Sequence, residues 1–147
     1  MQFTPRRAIG GRAWTSLLME TTDQEKALVL WSNTTLGLMM YWWHANKQQS
    51  GRGSIGVSAL ETLPVFDVRE LSTKQLAQAV KVFDELSGLN LLPMHQIDTD
   101  PVRRQIDERF GREVLDLSAA LFGPEGAFDL LRRKLASEPS IRGNKAG

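Results

Sequence analysis

Seven consecutive residues, Asn46-Lys47-Gln48-Gln49-Ser50-Gly51-Arg52, bring two cations and three side-chain amides together beside a glycine. Amides and a guanidinium can pair with base edges, a lysine can meet a phosphate, and glycine lets the backbone approach closely. Lys47, Gln48, Gln49, Ser50 and Arg52 are therefore candidate contacts to double-stranded DNA, although an ordinary polar loop has the same composition. Arg6, Arg7 and Arg12 near the start of the chain can add phosphate contacts or form a solvated end. Trp31, Tyr41, Trp42 and Trp43 can stack on bases, but aromatic residues at helical spacing more often form core. Trp42 and Trp43 are adjacent and lie about 100° apart on a helix, so they cannot share one stripe. One of the two is left as a candidate partner-binding residue.

Other candidate constellations fail on context. Gly51-Arg-Gly53-Ser-Ile-Gly56 spells G-x-G-x-x-G, yet a dinucleotide site needs those glycines after a strand and before a long helix. Here they follow a helical stretch, and Pro64 leaves barely two turns after them. His95, Asp98 and Asp100 suggest a metal, but Asp100 is better explained as a cap before Pro101, leaving too few ligands. His44 has no convincing sequence partner. Asn33-Thr34-Thr35 is a formal glycosylation sequon that has meaning only after export. No paired carboxylates, no nucleophile with its base and no phosphate loop emerge, so neither catalysis nor a cofactor or metal is expected.

The 147 residues suffice for one domain with its own core, and 41% apolar and 24% charged residues are ordinary for a soluble protein. The sequence has no cysteine, which removes disulfides and thiolate chemistry and fits a cytoplasmic location. The net charge of +1 is unevenly divided: residues 1–56 carry six Lys/Arg against three Asp/Glu, and the remainder twelve against fourteen. Any basic face is expected in the first half. Twenty residues without formal charge separate Lys26 from Lys47, the length of a membrane span. Ser32, Asn33, Thr34 and Thr35 would sit at its middle without partners, which argues against insertion. The N-terminal arginines precede no apolar run of the kind a secretory signal needs.

These residues must be positioned by helices. Thr22-Asp-Gln-Glu25 has the spacing of a capping box, so a helix should start at Thr22 and stop or bend at Ser32 to Thr35, whose side chains compete for backbone hydrogen bonds. A second helix should begin near Thr34, with Leu36, Met39, Met40 and Trp43 on one stripe. Ser58-Ala-Leu-Glu61 predicts a further short turn, Asp67 to Leu71 a linker, and Ser72-Thr-Lys-Gln75 the clearest helix, with Leu76, Ala79, Val80 and Phe83 on one face and a stop near Gly88. Asp100-Pro101 opens another helix carrying Val102, Ile106, Phe110 and Val114, and a last one is expected near Glu125 to Ala136. The predicted fold class is α+β, predominantly helical, with four to five helices and a small β element near residues 13–18 and 52–57. The expected organisation is a basic arm at 1–12, a single recognition-like domain at 13–117, a helical extension at 118–137 and a disordered tail at 138–147.

The order of features is more specific than any one of them. A helix ending in Leu30-Trp-Ser-Asn-Thr-Thr-Leu-Gly37, an aromatic stretch, a glycine-rich turn, Ser58-Ala-Leu-Glu-Thr-Leu-Pro-Val65 and a helix containing Val82-Phe-Asp-Glu-Leu86 follow one another. This order resembles the C-terminal target-recognition region of adenine-specific DNA methylases of restriction-modification and phage-defence systems. Asp98 to Asp107 resembles the distal helix of bacterial members, and the likeness spans about residues 6–117. Trp31-Ser32-Asn33 stands where many members have Leu-Asn-Ser, and Val65-Phe66 replaces the usual second proline. The family's glycine-rich loop for S-adenosylmethionine and its Asn-Pro-Pro-aromatic tetrapeptide are absent from these residues. The resemblance thus implies a DNA-specificity module or fragment without methyl transfer; the alternative is a protein-interaction module docking on a separate methylase catalytic subunit.

Overall fold

A computed structural model describes residues 19–47, 53–54 and 56–142. The first two helices arise from the polar break between them. Helix α1 (Thr22–Ser32) is capped by Thr21, whose hydroxyl accepts from the Gln24 amide at 3.2 Å. The cap therefore lies one residue before the expected Thr22. Its reciprocal half is not made, because the buried Gln24 Oε1 has no hydrogen-bond partner.

At the other end of α1 the side chains take over the backbone's hydrogen bonds, as short polar residues do at helix ends. Ser32 Oγ donates to the Leu28 carbonyl at 2.7 Å and Asn33 Nδ2 to that of Val29 at 2.9 Å. Thr34 Oγ1 donates to the Trp31 carbonyl at 2.6 Å while accepting from the Gly37 amide at 3.1 Å, so one hydroxyl closes α1 and opens α2 (Thr35–His44).

A two-residue antiparallel ribbon follows α2: β1 (Asn46–Lys47) pairs with β2 (Gly53–Ser54), with Asn46 opposite Ser54 and Lys47 opposite Gly53. Helix α3 (Val57–Glu61) is a single turn that starts before Ser58 rather than being capped by it. The expected linker at 67–71 forms a short 3-10 turn that buries Val68 in the core.

Helix α4 (Thr73–Leu86) has the complete capping box expected for Ser72 and Gln75. Ser72→Ala should lower stability by about 1 kcal/mol in a urea titration. Helix α5 (Pro101–Arg109) is capped by Asp100, which accepts from the Val102 and Arg103 amides at 2.9 and 3.2 Å. It continues as a π turn over Phe110–Val114, where the Leu115 amide donates to the Phe110 carbonyl at 3.2 Å. A Cβ on Gly111 would lie 2.1 Å from the Phe122 ring, so this turn is shaped around that ring. Helices α6 (Ala127–Ser137) and α7 (Pro139–Arg142) complete the described chain.

The apolar side chains form two separate clusters. The larger joins α1, α4 and α5 through Ala27, Leu28, Leu30, Val68, Ala79, Val82, Phe83, Leu86, Ile106, Phe110 and Val114. The smaller buries Ile97, which follows a 3-10 turn at Met94–Gln96, together with Leu135 and Ala136 of α6, with Leu38, Met39 and Trp42 of α2 and Ile141 packed against it. The domain is predominantly helical, as expected, but the α+β assignment is corrected. The only pairing among the described residues is the two-residue ribbon, too short to present a buried sheet face. Residues 13–18 lie outside the described residues.

Candidate nucleic-acid interface

Helix α2 carries the candidate interface because its C-terminal end runs directly into the ribbon. Ala45 closes the helix, its amide donating to the Tyr41 carbonyl at 2.9 Å, and the chain turns extended there. His44, without an evident partner in the sequence, lies 2.9 Å through Nδ1 from the Met40 carbonyl one turn back. Lys47 lies within β1, opposite Gly53. Gln48, Gln49, Ser50 and Arg52 fall between the paired strands in sequence and, like Arg6, Arg7 and Arg12, lie outside the described residues.

The two adjacent tryptophans diverge as helical geometry requires. Trp42 packs on the smaller cluster, whereas Trp43 is 70% exposed and Tyr41 41% exposed. The Trp42 and Trp43 rings still meet edge to face, with centroids 6.3 Å apart.

Beneath α2 lies a buried ionic centre that the sequence did not announce. Asp107 of α5 accepts from the Thr35 amide at 2.6 Å through Oδ1, and from Thr35 Oγ1 at 2.5 Å and Arg132 of α6 at 2.6 Å through Oδ2. Its carboxylate therefore sits at the positive end of α2, opposite a guanidinium. Burial pushes the Asp107 carboxyl above its usual range, only partly offset by the bonds from Thr35 and Arg132. Arg103 donates to the Asn33 carbonyl at 2.8 Å and lies 3.8 Å from Asp100; burial lowers its pKa against the pull of Asp100 and Asp107. Asp129 lies 3.6 Å from Arg132 and 3.5 Å from Arg104. The i, i+3 spacings of Asp100 with Arg103 and of Asp129 with Arg132 were the sequence signals, and both have the appearance of surface pairs.

Every acid of this centre faces a guanidinium or a backbone amide. An open depression of about 440 Å³ beside the π turn is lined by Glu108, Arg109, Arg112 and Glu113. Its arginines are already engaged, Arg112 with Glu108 at 2.7 Å and Arg109 with Glu85 and Glu113 at 2.6 and 2.8 Å. The G-x-G-x-x-G stretch leads into α3, whose five residues are too short to present a dinucleotide-binding helix end. Among the described residues no group of three or more metal-ligating side chains comes together. Among them, too, no helix is long and apolar enough to cross a membrane. No protein-family model, curated protein or solved structure matches the chain.

Proposed function

We propose that the chain is a non-catalytic DNA target-recognition module of a methylase or restriction-modification system, contacting double-stranded DNA through the ribbon that follows α2. The observation that carries this reading is the pairing of Asn46–Lys47 with Gly53–Ser54 at the end of α2. A two-stranded ribbon fits the major groove, and the residues between these strands in sequence are two glutamines, a serine, a glycine and an arginine. Lys47, Gln48, Gln49, Ser50 and Arg52 are the proposed contacts, with Arg6, Arg7 and Arg12 supplying phosphate contacts. The helices α4 and α5 serve as scaffold. The order of features that resembles methylase recognition regions supports the same reading, and because that family's cofactor loop and tetrapeptide do not occur in these residues, methyl transfer is not assigned to them.

A second reading, docking on a separate catalytic subunit, is favoured by the exposure of Trp43. Large exposed aromatic side chains are frequent anchors of protein interfaces.

Fluorescence anisotropy with a labelled generic duplex tests the first reading. Lys47→Ala combined with Arg52→Ala should weaken binding at low salt by at least about tenfold, as expected on losing two phosphate or base contacts. Equal affinity of the two proteins contradicts the assigned DNA face.

A further inference from the structure

Helix α2 holds its place with little help from the main core. Of its residues only Thr35 and Gly37 are buried, and none belongs to the larger apolar cluster. Leu38, Met39 and Trp42 lean instead on the smaller cluster, where α6 supplies Leu135 and Ala136. That cluster has three buried apolar residues against eleven in the larger one, so α2 and α6 are the easier pair of elements to part. Beside those apolar contacts the two helices share a polar fastening. A single carboxylate, that of Asp107, holds the first turn of α2 through Thr35 and the middle of α6 through Arg132.

We propose that Asp107 and Arg132 form a latch by which α6 sets the orientation of α2, making Arg132 a positioning residue for the ribbon that α2 carries. The link to DNA rests on the function proposed above; the latch itself does not. Its physical basis is the high cost of a buried charge without its partner. Removing Arg132 leaves the Asp107 carboxylate with the Thr35 donors alone. Water reaches it most cheaply by separating α2 from α6, because that separation exposes the small cluster and leaves the large one closed. The other charged groups near the latch have their own duties: Arg103 holds the Asn33 carbonyl, and Asp129 pairs with Arg104 and Arg133.

Hydrogen exchange on the full chain tests the latch. Arg132→Met should reduce amide protection across α2 by roughly a hundredfold while α1 and α4 change by no more than a few-fold. Asp107→Leu combined with Arg132→Met, which removes both charges, should restore α2 protection to within about tenfold of wild type. Should Arg132→Met fail to fold, Arg132→Lys carries the same comparison, with about tenfold lower protection confined to α2 and α6. Equal loss across α1, α2 and α4, or unchanged protection in α2, overturns the proposal. Duplex binding read in parallel separates the two ideas. If the wild type binds duplex, the Arg132 variant should bind several-fold more weakly; unchanged binding removes the positioning role. If the wild type does not bind, the nucleic-acid reading fails and the exchange pattern alone decides the latch.

Discussion

Asp107→Ala should lower the free energy of unfolding by about 3–5 kcal/mol, the largest loss expected of any substitution considered for this chain. The substitution strips the acceptor from the Thr35 amide, from Thr35 Oγ1 and from Arg132, all buried. It leaves the Arg132 guanidinium with Asp129 at 3.6 Å as its nearest acid. Most of the loss is the penalty of that stranded charge rather than the worth of the pair. The double substitution Asp107→Leu with Arg132→Met should therefore lose much less, within about 2 kcal/mol of wild type, because a buried pair and its apolar replacement are often close in energy. Urea unfolding followed by far-ultraviolet circular dichroism measures both. Losses that simply add would mean that the two residues do not act on one another.

Gly37→Ala should cost about 2 kcal/mol although alanine is the better helix former by up to about 1 kcal/mol. A Cβ at this position would lie 2.4 Å from the Trp31 carbonyl oxygen and 2.8 Å from Ser32 Cα. Both are backbone atoms, and the Trp31 carbonyl is held by the Thr34 hydroxyl at 2.6 Å, so the joint between α1 and α2 has to open. Gly88 offers the opposite case: nothing lies within 4 Å of a Cβ built there. Gly88→Ala should be neutral or stabilising by a few tenths of a kcal/mol, since the main change is a smaller loss of backbone freedom on folding. Thermal or urea unfolding of the two variants side by side distinguishes steric demand from a general effect of removing glycine.

The joint around Gly37 also shows which parts of the fold could be read from the sequence. The break at Ser32 to Thr35, the Ser72 cap and the Asp100-Pro101 start were legible because each is decided within four residues, by a side chain that reaches its own backbone. The Thr21 cap was displaced by one position because consecutive threonines offer two registers with nearly equal local chemistry. Val68 was hidden in an expected linker, as its burial depends on α1 and α4 arriving from elsewhere. The latch was least legible of all. Thr35 and Asp107 are 72 residues apart and Asp107 and Arg132 are 25 apart, so no local pattern marks them as partners.

The candidate interface rests on residue types, since Gln48, Gln49, Ser50 and Arg52 lie outside the described residues. Residue types pointed to Lys47 through Arg52, and helical geometry required that Trp42 and Trp43 face different ways. Which of the two turns outward depends on where α6 packs, and α6 had been expected to be an extension of the domain rather than a partner of α2. Its contact with α2 through the smaller cluster is what leaves Trp43, and not Trp42, exposed.

The central claim is that this chain holds DNA through a small set of cations at and near the ribbon. A salt titration of duplex binding tests it most directly. Contact through about four cations should give a slope of roughly −3 to −4 in log affinity against log salt, or about a hundredfold weaker binding between 50 and 200 mM. Binding that is absent at low salt, or that holds constant across this range, would contradict the claim.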